Sequence, residues 1–108
     1  MTTSKLHELG FCPVCDGEEK EITGGFCGDL LSWAMGSAQE GQVWFTVMGN
    51  INTIAVACLA DVAAVVLCHG AALADDARAR AAAEGVNLYT TSLPEFEAAA
   101  AFARAFAP

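Results

Sequence analysis

A chain of 108 residues that is 55% hydrophobic and 17% charged is long enough for one core and too apolar to be disordered. Thirteen acidic against five basic side chains give a formal charge of −8. That balance excludes the basic footprint needed for nucleic acid and disfavours an anionic membrane surface.

The first ten residues hold Lys5, His7 and Glu8 and no apolar run, so they do not read as a signal peptide. Residues 4–9 are predicted as a short helix with Ser4 as cap and Gly10 as its end. Residues 11–14 read as a short strand before an Asp16-Gly17 turn, and residues 18–21 as a solvated charge cluster. Thr23-Gly24-Gly25 then reads as a glycine-rich turn feeding a helix over residues 30–38. Asp29 would cap that helix or sit in its first turn, and Leu30, Leu31, Ala34, Met35 and Ala38 fall at helical spacing. Such a turn can present unpaired N–H groups to an anion.

Residues 43–47 (Val-Trp-Phe-Thr-Val) are β-branched and aromatic and predict a buried strand. Residues 53–60 predict a helix with Asn52 as N-cap. Residues 63–68 predict a second continuous apolar strand, running into His69-Gly70. The apolar region 51–68 is broken by Asn52, Thr53 and Asp61 and is too short to span a bilayer. Residues 75–84 predict a helix with Asp75 and Asp76 at its start and Gly85 just past its end. Residues 86–89 predict a third strand. The last helix follows, with Ser92 and Glu95 at capping-box spacing and Phe96, Ala99, Ala100 and Ala103 as its buried stripe.

Fully apolar strands alternating with helices predict a single α/β domain: three layers, with a mostly parallel central sheet flanked by helices on both faces. Ligands of such sheets bind beyond the carboxyl ends of the strands. Here that edge carries Gly49, Asn50 and Asn52, then His69, then Thr90 and Thr91, all in small polar loops. Together with Thr23, Gly24, Gly25 and Asp29 these are the candidate ligand-binding residues. Phosphate or a nucleotide is the expected ligand, because helix N-termini favour anions.

Cys12-Pro13-Val14-Cys15 is a CxxC, but it lies in an extended segment with no helix start to lower a thiol pKa. Cys27, Cys58 and Cys68 are isolated, so four metal ligands are not in view. The five cysteines, an odd number, read as buried reduced thiols of a cytoplasmic protein. A cysteine-based metal or redox accessory protein is one alternative. An enzyme using His69 is another, although no nucleophile is spaced to serve that histidine. Thr23-Gly24-Gly25 lacks the Lys-Ser/Thr of a P-loop. Nothing calls for a metal or a cofactor.

Thr23-Gly24-Gly25, Asp29-Leu30-Leu31-Ser32, the strand running into Asn52, and Ile54-Ala55-Val56-Ala57 resemble the DRTGG domain, over nearly the whole chain and through Thr91-Ser92. Glu21-Ile22 stands where the family's name has Asp-Arg. Asn50 and Met48 stand where relatives often carry His and Gln. The resemblance implies a regulatory or ligand-binding α/β domain. Such domains accompany phosphotransacetylases and nucleotide-regulated pyrophosphatases, near nucleotide polyphosphates or at dimer interfaces. Some stand-alone versions belong near iron–sulfur hydrogenase systems. The expected function is therefore non-enzymatic sensing of a phosphate-containing ligand. The surplus of apolar residues adds the expectation of a homodimer, anchored by Phe102, Phe106 or Trp33.

Overall fold

The two continuous apolar stretches become the centre of a five-stranded sheet in the computed structural model, which describes residues 1–107. They are β3 (Gln42–Thr46) and β4 (Ala64–Leu67). Every β4 side chain is buried, as is every β3 side chain after Gln42. With β1 (Cys12–Cys15), β2 (Gly24–Cys27) and β5 (Leu88–Thr90) the spatial order is β1-β5-β4-β3-β2. β2, β3, β4 and β5 run parallel, and β1 pairs antiparallel with β5. The sheet is thus mostly parallel, and it is covered on both faces as such sheets require.

Alternation along β3 assigns the two cores. Val43 and Phe45 face α1 (Lys5–Glu8) and α5 (Glu95–Phe106), where Leu6, Ala98 and Phe102 complete one cluster. Trp44 faces α2 (Leu31–Ser37), α3 (Ile51–Ala60) and α4 (Asp75–Glu84), where Ala34, Ile54, Ala57, Ala77 and Ala81 complete the other. Burying a side chain the size of Phe45 contributes on the order of 3 kcal/mol. Alanines at Ala77 and Ala81 let α4 lie close to α3 and the sheet.

Several local expectations are corrected. Gly24 and Gly25 do not turn into a helix; they begin β2, the outer strand beside β3. Glycine is a poor strand former, but the free edge of β3 supplies the partners and α5 needs the space. A Cβ on Gly25 would stand 3.1 Å from the Phe102 ring. The helix after β2 spans only Leu31–Ser37, has no side-chain cap and buries Ala34 alone. Asn50, not Asn52, caps α3: its Oδ1 accepts from Thr53 N at 3.1 Å. Asn52 lies exposed in the first turn of α3. Ser92 makes no capping box, because Pro94 occupies the N-cap position of α5. Phe96 is 80% exposed rather than part of a buried stripe. Cys12, Cys27 and Cys58 are exposed and Cys15 half-buried; only Cys68 is the buried thiol expected. Among the described residues, no helix is long and apolar enough to cross a membrane.

Candidate functional site

The carboxyl ends of β2, β3, β4 and β5 bring Asp29, Thr46, His69, Thr90 and Thr91 to one edge of the sheet. Asp29 does not cap α2. Its Oδ1 accepts from the Thr46 hydroxyl and from Val47 N, each at 2.8 Å, so it ties the end of β2 to the end of β3. Glu95 is the first residue of α5. Burial, and then the neighbouring Asp29 carboxyl, push the Glu95 carboxyl up to about 7. The backbone of Glu95 also donates to His69 Nε2 at 3.2 Å.

His69 has a left-handed backbone, φ 63°, which turns the chain sharply after β4. His69 N donates to Leu93 O at 2.8 Å and Gly70 N to Thr91 O at 2.9 Å, so the loops after β4 and β5 are laced together. Gly49 serves packing in the loop after β3. A Cβ there would run into the carbonyl of Ala72, and Gly49 O accepts from Ala74 N at 2.9 Å.

Beside these loops lies a hollow of about 490 Å³, lined by Cys12, Gly70, Ala71, Arg78, Thr90, Thr91 and Ser92 among others. Its position at the carboxyl edge follows the rule for open α/β sheets. Arg78, in the first turn of α4, supplies its positive charge, and Thr90, Thr91 and Ser92 supply hydroxyls. Thr23, Gly24 and Gly25 lie elsewhere. Thr23 is at the amino end of β2, where its hydroxyl donates to Glu40 O at 2.9 Å. There it lines a wider acidic hollow with Glu18, Lys20, Glu21, Glu40 and Asp61. Gly24 and Gly25 line an apolar groove of about 280 Å³ with Phe45, Phe102 and Phe106.

The structure therefore ties Glu95 to His69 at the edge that also carries Asp29, and sets Thr90 and Thr91 beside Gly70. It leaves Thr23, Gly24 and Gly25 apart from both groups. Sequence reasoning missed Glu95 and Arg78 as site residues. Arg78 had a signal, since no Lys or Arg occurs between Lys20 and Arg78, and it follows a strand–loop at the carboxyl edge. Glu95 had none beyond a capping-box spacing that the fold does not use.

Four of the five thiols are raised above the ordinary thiol range. Burial raises Cys15 and Cys27, a hydrogen bond to Glu84 raises Cys58, and burial with nearby negative groups raises Cys68 to about 12. Among the described residues, no three His, Cys, Asp or Glu side chains are grouped to hold a metal ion.

No protein-family model matches the chain, and no curated protein matches it. A solved structure does. It contains the CBS and DRTGG domains of the regulatory region of Clostridium perfringens pyrophosphatase, in complex with its activator diadenosine tetraphosphate. The TM-score is 0.69 at 12% identity, over 89% of this chain and 43% of that one. The chain thus spans less than half of the protein it matches, and the likeness is one of fold: this chain has a DRTGG-like α/β fold.

Proposed function

We propose that this chain is a non-enzymatic regulatory domain that senses a phosphate-containing small molecule, with a nucleotide as the preferred class. The observation that carries the reading is the carboxyl-edge hollow, in which Arg78 stands beside the hydroxyl-bearing residues Thr90, Thr91 and Ser92. A guanidinium with adjacent hydroxyls suits a phosphate group. The similar regulatory region is complexed with its activator diadenosine tetraphosphate, which points the same way. The absence of a catalytic role is supported by His69, whose Nε2 is already engaged by the Glu95 N–H, and by the raised thiols. Asp75 and Asp76, ahead of Arg78, oppose a polyanion and place the expected affinity in the micromolar range or weaker.

Isothermal titration with diadenosine tetraphosphate, ATP and inorganic phosphate tests the proposal. Binding of at least one of these is expected to weaken about tenfold or more in Arg78→Ala, as loss of a charge-assisted contact predicts. It should be unchanged in Arg104→Ala, at the far end of α5. No binding of any phosphate compound, or equal binding by Arg78→Ala, would reject the reading.

A further inference from the structure

We propose that the outer edge of β2 is a docking site for an extended peptide, which adds to the sheet as a further strand. Its alternate apolar side chains enter the groove between β2 and α5, and its basic flanks meet acids at the two ends of the strand.

The two edges of the sheet are built differently. β1 carries Pro13 and a register shift between Pro13 and Cys15, devices that discourage a further strand. β2, Gly24-Gly25-Phe26-Cys27, has no proline, charge or bulge, and it pairs with β3 alone. Gly28 N donates to Phe45 O at 3.2 Å, so the two-residue period of the strand turns the N–H and C=O groups of Gly25 and Cys27 away from β3. Both residues are exposed. A Cβ on Gly24 would meet nothing within 4 Å, so no packing inside the chain requires glycine there. A strand glycine of that kind leaves room for another backbone to approach.

Along this edge lies the apolar groove of about 280 Å³, walled by β2 on one side and by Ala99, Phe102, Ala103 and Phe106 of α5 on the other. No charged side chain lines it, which suits Val, Leu or Phe. A groove alone would accept any apolar molecule. The free backbone groups of Gly25 and Cys27 beside it select a strand, whose main chain satisfies them while alternate side chains fill the groove.

Charge sets the flanks of the peptide. At the amino end of β2, Glu18, Glu21 and Glu40 line the acidic hollow. Its lysine, Lys20, is paired with Asp61 at 2.7 Å, and Glu21 meets the N-terminal ammonium at 3.3 Å. Glu18 and Glu40 form no ion pair among the described residues. At the carboxyl end Asp29 follows Cys27 by two residues and forms no ion pair among them either. The one cation of α5, Arg104, does not line the groove. Lysine or arginine on both flanks of the peptide is therefore complementary. A second copy of β2 is not: it brings acids to both ends, and its Gly25 has no side chain to fill the groove. This edge lies across the sheet from the phosphate hollow, so the two proposals are independent.

The test is fluorescence anisotropy of the full chain with a labelled Lys-Lys-Val-Thr-Val-Thr-Val-Lys-Lys peptide and its versions with Leu or Phe in place of Val. At least one is expected to bind more tightly than about 100 μM. Replacing its Lys by Glu, or grouping its apolar and Thr residues in separate blocks, should weaken binding about tenfold or more. Amide exchange at Gly25 and Cys27 should slow in the complex, while Gly24 and Phe26, bonded to β3, stay unchanged. Cys27→Pro removes an outward N–H and leaves the β3 ladder intact; Ala103→Lys puts a cation in the groove. Each should weaken binding about tenfold or more. If Cys27→Pro does not fold, Ala103→Lys and the exchange measurement decide. Absence of binding by all three peptides at about 1 mM would overturn the proposal. So would equal binding by the Glu-flanked peptide, or by Ala103→Lys. Protection of Gly25 and Cys27 that grows with protein concentration in the chain alone would give the edge to a second copy and overturn it too.

Discussion

Thr46, fully buried at the end of β3, donates a 2.8 Å hydrogen bond to Asp29, and through that bond the polar edge of the sheet is built. The threonine closes an apolar strand, and its hydroxyl has no other side-chain acceptor. Thr46→Val keeps the β-branched shape and removes the donor. It is expected to cost about 1–2 kcal/mol by loss of a charge-assisted bond. Asp29→Ala is expected to cost more, about 2–3 kcal/mol, because it leaves the Thr46 hydroxyl and the Val47 N–H without a partner. Urea unfolding with unchanged slopes checks both. If Asp29→Ala is as stable as wild type, the pair does not organise this edge.

Asn87 is the second polar group on which the fold depends. It is 2% exposed, yet its Oδ1 accepts from Gly17 N at 2.7 Å and its Nδ2 donates to Glu18 O at 2.9 Å and Ala63 O at 3.0 Å. One side chain thus holds the segment after β1 against the entries to β4 and β5. Asn87→Ala should destabilise by about 3 kcal/mol, since buried donors and acceptors lose their partner. Asn87→Asp should be comparably harmful, because a carboxylate cannot donate to the two carbonyls. Thermal denaturation of both variants against wild type provides the comparison.

The central strands were legible because residues 43–47 and 63–68 have only one use in a chain of this size: burial on both faces of a sheet. The glycine and acid placement around Asp75–Glu84 was equally direct, and Gly85 ends that helix with φ 70°. What failed was local chemistry decided from across the fold. Thr23-Gly24-Gly25 looks like a turn until β3 offers an edge and Phe102 takes the space above Gly25. Asp29 looks like a helix cap until Thr46 arrives from the next strand. Glu95 looks like half of a capping box, whereas its backbone N–H donates to His69 on the loop after β4. The carboxyl-edge position of Gly49, Asn50, His69, Thr90 and Thr91 was readable from topology. Which of them line a hollow depended on packing between α4 and β1.

Tyr89 gives a pH prediction with an unambiguous readout, because it is the sole tyrosine. Its ring is buried, its hydroxyl donates to Thr3 O at 3.2 Å, and burial followed by the nearby Asp16 charge raises it to about 12. The folded chain keeps a proton that the unfolded chain releases near pH 10. This stability is present below pH 10 and is lost as pH rises through 12. Tyrosinate absorbance should stay flat through pH 10.5 and rise only near pH 12 or with alkaline unfolding. A reversible transition centred on pH 10 in the folded protein would contradict the buried position.

Self-association remains a proposal, and the structure narrows the residues that would carry it. Phe102 is consumed by the core and Phe106 stacks on it at 5.4 Å, so neither stands free to fill a partner's pocket. Trp33 is 70% exposed on α2, with Leu30 and Met35 also exposed beside it. A tryptophan among apolar neighbours is the residue type that most often dominates an interface. We therefore expect a two-fold dimer built on α2 and burying on the order of 1,600 Å². Light scattering at micromolar concentration should give twice the 11.2 kDa chain mass. Trp33→Glu should return the monomer without lowering the thermal stability of the isolated subunit, because that side chain contributes little to its own core. A wild-type monomer across the micromolar range would reject the dimer. A dimer that survives Trp33→Glu would move the interface away from α2.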